Sequence, residues 1–132
     1  MNTHKTLFSL CFLAALFGFL MVEGIAHEWM APKKIAETKN PIALDDKSFE
    51  RGKKVYSHNC AACHGADKKG LSAEETGLGI SPPNLKKRIV THPDGDFFWK
   101  IQQGRDDMPA FNNDLTEQQI WDVINYIRSD AE

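Results

Sequence analysis

The sequence predicts an all-α fold on three observations. Segments at about 46–59 and 117–130 carry apolar residues at helical spacing. Two shorter segments, at about 84–90 and 94–103, do the same between them. A long stretch from Gly65 to Pro83, rich in glycine and proline, reads as a loop. The 132 residues suffice for one small domain, and a formal net charge of −2 leaves no electrostatic footprint for nucleic acid.

The first helix is expected from about Asp46 to Asn59, capped by Asp45 or Asp46. Phe49, Gly52, Tyr56 and Cys60 recur at intervals of three, four and four, so they share one face. Glycine inside a helix costs roughly 1 kcal/mol against alanine. Gly52 on an apolar face therefore marks a close approach by another backbone. Asn84 is expected to cap the helix to Val90, with Leu85 and Ile89 inward. Asp94 is expected to cap the next, through Gln103, with Phe97, Phe98 and Ile101 inward and Gly104 ending it. The last helix, about Glu117 to Asp130, opens with a capping box of Thr116 and Gln119. Its inward stripe is Ile120, Val123, Ile124 and Ile127, widened by Trp121 and Tyr126. It is expected to cross the first helix at Gly52.

Residues 1–26 read as a secretory signal peptide. An apolar run from Leu7 to Val22 follows His4 and Lys5, and Gly24-Ile25-Ala26 offers small residues for cleavage after Ala26. The alternative is an uncleaved membrane anchor, although the 16 residues of that run fall short of the about 20 that span a bilayer. No lipobox precedes Cys11. Residues 27–44, polar and carrying Pro32 and Pro41, read as an extended N-terminal arm. Trp29 and Met30 are its candidate pins to the domain at 45–132.

Between the first helix and the loop stands Cys60-Ala61-Ala62-Cys63-His64-Gly65. Two thiols two residues apart, followed at once by an imidazole, form the pattern for covalent haem attachment. Each sulfur would form a thioether with a vinyl group, and His64 would reach the iron. A C-x-x-C pair also suits half a zinc site, a redox dithiol or a disulfide. Zinc needs two further ligands, and the only other cysteine is Cys11. A redox dithiol should follow a buried strand, whereas a helix precedes Cys60. Export favours haem, because an oxidising compartment drives free dithiols to disulfides and thioether formation occupies both sulfurs.

A long loop in a small domain needs something to pack on. Leu71, Leu78 and Ile80 are its expected apolar contacts. A carbonyl of Pro82-Pro83 is expected to accept the Nδ1 hydrogen of His64 and so orient the ring. Once the leader is removed, methionine remains only at Met30 and Met108. Met108 lies in the loop Arg105–Phe111 and precedes Pro109, which restricts its backbone. A thioether is a soft, neutral ligand suited to ferrous haem iron. Core filling is the ordinary role of a methionine. Met30, His92 and His58 are the weaker candidates for a second ligand.

Together these pieces resemble the class I cytochromes c, bacterial periplasmic type. The matching residues are Gly52 and Tyr56, Cys60 to Gly65, Pro82-Pro83-Asn84-Leu85, Gly104, Met108-Pro109-Ala110-Phe111 and the C-terminal helix with Tyr126. The resemblance covers about Lys47 to Asp130. It implies a cytochrome c fold of four to five short helices, the N- and C-terminal ones crossed, around one covalent haem c. It implies cofactor-binding residues Cys60, Cys63, His64, Met108 and Pro83, with His64 and Met108 as the metal ligands. It also implies single-electron transfer rather than enzyme catalysis. Phe97, Phe98, Phe111 and Trp121 are expected to bury the cofactor and, with methionine ligation, to raise its potential.

The partners expected are redox proteins in the periplasm, met by a monomer or by a subunit of a larger oxidoreductase complex. A membrane enters only if the signal segment stays uncleaved. A haem peroxidase or gas sensor is the third reading, and it requires Met108 to dissociate. Residues 27–93 hold 12 basic and 8 acidic residues, and 94–132 hold 3 and 9. Lys68, Lys69, Lys86, Lys87 and Arg88 lie in segments near the expected haem edge, where they either steer an acidic partner or form an ordinary solvated charged surface.

Overall fold

A computed structural model describes residues 29–131, and these form seven helices and no strand. In chain order they are α1 (Lys33–Ala36), α2 (Asp46–Asn59), α3 (Ala61–His64), α4 (Ala73–Thr76), α5 (Leu85–Thr91), α6 (Asp94–Gln103) and α7 (Glu117–Arg128). The four longer helices are those expected. The three others are single turns, too short to leave a periodic signature, and they carry the count past four to five. The signal segment 1–26 and Cys11 lie outside the described residues. Among the described residues no helix is long and apolar enough to cross a membrane.

Helix α2 starts at Asp45, whose carboxylate accepts from Ser48 N at 2.8 Å. It packs across α7, the largest helix contact in the chain. Gly52 lies at the crossing. A Cβ there would stand 2.0 Å from the Asp122 carbonyl oxygen, so only glycine lets the backbones meet. Tyr56, Ile120, Val123 and Ile124 are almost fully buried around it. Arg51 adds a two-pronged pair to the buried Asp122, with Nε and Nη2 each 2.7 Å from a carboxylate oxygen. The capping box of α7 is present as expected.

Helix α6 departs from expectation at its start. Its N-cap is Pro93, which makes no side-chain cap bond, and Asp94 is the first helical residue. The Asp94 carboxylate is taken up elsewhere, by Arg128 at 2.6 Å and Asn40 N at 3.3 Å. The arm is likewise not simply extended, since it contains α1. It is bound along its length. Ala31 N donates to the buried Asp96 at 2.7 Å, and Asn40 Nδ2 donates to Trp121 O and Asn125 Oδ1, each at 2.9 Å. Gly95 lets the arm touch α6, for a Cβ would meet Ile35 O at 2.0 Å.

Candidate haem site

Cys60 closes α2, donating its N–H to Tyr56 O at 2.8 Å, and the chain turns directly into α3. Both cysteines are half-buried free thiols. Burial, then the neighbouring Cys63, pushes the Cys60 thiol up to about 12. A redox dithiol works through a depressed thiol, so Cys60 is poorly suited to that role. Among the described residues no group of three or more His, Cys, Asp and Glu side chains could hold a metal ion, so a zinc site finds no further ligands.

The imidazole of His64 is held low in pKa by burial, with the Pro83 carbonyl acting in the opposite sense. A neutral imidazole is the form that ligates metal. Its Nδ1 is buried and makes no hydrogen bond of acceptable geometry, although the Pro83 carbonyl is close enough to act on it. Two thiols followed by a half-buried imidazole, held toward its neutral form and with a buried, orphaned Nδ1, fit a covalent haem. Cys60 and Cys63 would hold its edge, and His64 would be the adjacent nitrogen donor.

The loop after the motif is tied back onto it. Tyr56 Oη donates to Gly65 O at 2.8 Å, Gly70 N to His64 O at 2.8 Å, and Leu71 N to Cys63 O at 3.1 Å. Burial drives the Tyr56 phenol up, keeping it a donor. The single turn α4 sits inside this loop, closed by a capping box of Ser72 and Glu75. Its signal, serine followed three residues later by glutamate, is in the sequence. Leu71 and Leu78 are half-buried as expected, but Ile80 is 71% exposed and is not a packing contact within the chain.

Met108 occupies a tightly held turn. Arg105 and Met108 exchange both backbone hydrogen bonds, each 2.9 Å, around Asp106 and Asp107. Gly104 sits at φ +61°, and a Cβ there would lie 2.5 Å from both Met108 O and Ala110 N. Phe111 N donates to Ile101 O at 3.0 Å on the far side of Pro109. The Met108 backbone is thus clamped on both sides. Its half-buried side chain packs against the core, as do those of Phe98 and Phe111. Phe98 stacks on Trp121 at 4.1 Å, while Phe97 turns toward His92 at 6.2 Å.

The rival ligands are engaged elsewhere. Met30 lies on the arm, its sulfur 4.0 Å from Lys100 Nζ. His58 Nδ1 is 2.7 Å from Lys54 O on the α2 surface. His92 is buried, with Nδ1 3.0 Å from Arg88 O. The expected basic patch also needs correction. Lys68 is 3% exposed and pairs with Asp130, and Lys86 pairs with the same carboxylate at 3.4 Å. Lys69, Lys87 and Arg88 remain on the surface. No local signal marks Lys68, because its partners, Tyr126 and Asp130, lie far along the chain.

Two clefts, of about 540 and 320 Å³, flank the arm and include neither the cysteines nor His64 nor Met108 in their walls.

Residues 47–127, more than half of the chain, match the family described as "Cytochrome C oxidase, cbb3-type, subunit III". Cytochrome c6 of Thermosynechococcus vestitus is 34% identical over 101 residues, covering 74% of this chain and 80% of that protein. Cytochrome c6 of Pyropia tenera is 31% identical over 84 residues, 64% of this chain and 94% of that one. A chain of the Kuenenia stuttgartiensis reducing HAO-like protein complex superposes with a TM-score of 0.55 at 19% identity. That superposition covers 70% of this chain and about half (47%) of the other, and it speaks to fold alone.

Proposed function

The chain is a class I monohaem cytochrome c, of the family described as cytochrome c oxidase, cbb3-type, subunit III, and from that premise we propose a periplasmic electron carrier whose iron is held by His64 and Met108. One haem c is bound covalently through Cys60 and Cys63, and the protein's work is electron transfer. When bound, the haem supplies a one-electron ferrous–ferric couple. His64 offers a neutral imidazole, and Met108 offers a soft thioether that favours the ferrous state. With both engaged, no coordination position is left for a substrate.

The observation that carries this reading is the clamped Met108 turn. The reciprocal Arg105–Met108 bonds, Gly104 and Pro109 fix the backbone from which the thioether projects. A fixed ligand needs little rearrangement when the electron arrives or leaves. Absorption spectra of the oxidised and reduced protein test it. A c-type reduced spectrum is expected, together with a weak red charge-transfer band in the oxidised form. Met108→Ala should abolish that band and Met30→Ala should keep it. A band that survives in Met108→Ala sinks the ligand assignment.

A second reading, a fixed haem subunit of an oxidoreductase, is favoured by the description of the matching family. The coverage of 80–94% of the cytochrome c6 relatives favours the carrier instead. Purification from native membranes and periplasm separates them, as a lone soluble protein or as part of a complex.

A further inference from the structure

We propose that Lys68 is a positioning residue for the haem ligand His64, acting by fixing the Pro83 carbonyl against its ring. The proposal rests on the reading above, in which His64 binds iron, and on the Pro83 carbonyl lying close enough to act on its buried Nδ1.

Lys68 is unusual twice over. Lysine is rarely fully buried unless paired, and this one is 3% exposed. It also holds φ +63°, a left-handed conformation costly to a residue with a Cβ. A glycine would meet the backbone requirement without strain. The side chain is therefore where its purpose lies.

The ammonium has three N–H groups and three destinations. It donates to Tyr126 O at 3.0 Å, pairs with the Asp130 carboxylate, and stands 3.8 Å over the Tyr126 ring. Tyr126 O is one of the last carbonyls of α7, where the helix dipole attracts a cation. Lys68 thus caps the C-terminal helix from a different part of the chain.

Its backbone grips the other side. Lys68 N donates to Gly65 O at 3.1 Å, the same carbonyl that accepts from Tyr56 Oη. Lys68 O accepts from Leu85 N at 2.8 Å, just after Pro82-Pro83-Asn84. Two residues on, Gly70 bonds His64 O and lies so close to the prolines that a Cβ would be 2.1 Å from Pro82 O and 3.1 Å from Pro83 O. The turn from Gly65 to Gly70 is therefore a wedge between His64 and the proline pair. Lys68 pins that wedge to α7. A carbonyl held at Nδ1 sets ring orientation and ligand basicity.

The test is hydrogen exchange of the His64 ring Nδ1 proton in the ferrous holoprotein, followed by NMR, with the midpoint potential as a second readout. The Ile124 amide in the α7 core serves as the global control. Lys68→Met and Lys68→Gly should each speed ring-proton exchange about tenfold or more. Both should raise the potential, since a less basic imidazole supports ferric iron less well, and both should leave Ile124 unchanged. Asp130→Asn, at a more exposed site, should act in the same direction and less strongly. A Lys68→Gly protein with wild-type exchange and potential overturns the proposal, as does equal loss of protection at His64 and Ile124. An unprotected ring proton in the wild type instead overturns the Pro83 reading beneath it, before any variant is made.

Discussion

The α2–α7 crossing and the loop from Gly65 to Pro83 hold the same motif from its two sides, by different means. At the crossing, a glycine lets two backbones touch and a stripe of isoleucine, valine and tyrosine closes around them. The loop has little apolar surface to bury, with Leu71 and Leu78 half-buried and Ile80 exposed. It takes its order from polar anchors rooted in the helices: Tyr56 on Gly65 O, and Lys68 on the end of α7. Packing is shared among many atoms, whereas an anchor is one group. Damage to the crossing should therefore unfold the domain, and damage to an anchor should loosen one segment.

The largest effect is expected at Gly52. Alanine there places a methyl group 2.0 Å from a carbonyl oxygen that belongs to a rigid helix, so α2 and α7 must separate. Overpacking of this kind should cost about 3 kcal/mol, read from denaturant unfolding. Gly79→Ala is the matched control in the loop. Nothing lies within 4 Å of its added Cβ, and its effect should stay within about 0.5 kcal/mol. Similar losses at the two sites would erase the distinction between packed crossing and anchored loop.

The same contrast governs what could be read in the sequence. The helices and their caps at Asp45, Asn84 and Thr116 were legible because their determinants lie within a few residues. Gly52 was legible because a glycine on an apolar helical face has few other uses. The buried polar groups were not. Lys68 reads as a surface charge, and Asp122, Asn125, Ser48 and Asp96 carry no signal of burial, since no local period distinguishes a lysine in water from one under a tyrosine. Their partners are mostly more than 50 residues away. Asp94 misled in the opposite sense. It has the chemistry of a cap, but Pro93 takes the N-cap position in an extended conformation and the aspartate is left to pair with Arg128. The haem motif was complete in six residues, while the clamp on Met108 needed the fold to bring Gly104 against it.

The arm offers an intermediate case, a segment whose C-terminal end gathers on one polar residue of the core. Asn125 is 4% exposed. Its Nδ2 reaches Ile42 O at 3.1 Å, Ala43 O at 3.2 Å and Ser48 Oγ at 2.7 Å, and its Oδ1 accepts from Asn40. Asn125→Ala strips these bonds from Ile42 O and Ser48 Oγ, while Ala43 O keeps Asp45 N and Asn40 Nδ2 keeps Trp121 O, and should cost about 2 kcal/mol. Exchange of the Ile42 amide should accelerate well beyond that of Ile124, because the anchor serves the arm more than the crossing. Equal acceleration would make the arm part of the same cooperative unit as the helix pair.

The smallest effect expected is a pH dependence confined to one buried histidine at the edge of the core. His92 is packed against Phe97, and its pKa lies below the ordinary value of 6.5. Burial is the main cause, with the Lys100 charge adding to it; the Arg88 carbonyl and Asp96 oppose it. The folded state therefore binds its proton less readily than the unfolded chain. Stability from this group is complete above the unfolded pKa and is lost as pH falls through the folded one. With His64 on the iron as proposed, His92 should take up a proton on unfolding between pH 7 and 5. Denaturant unfolding of the holoprotein should show stability falling as pH falls across that range, and His92→Gln should flatten the slope. A slope unchanged in His92→Gln would assign the uptake to other groups whose pKa the fold holds low, Glu75 and Asp130 among them.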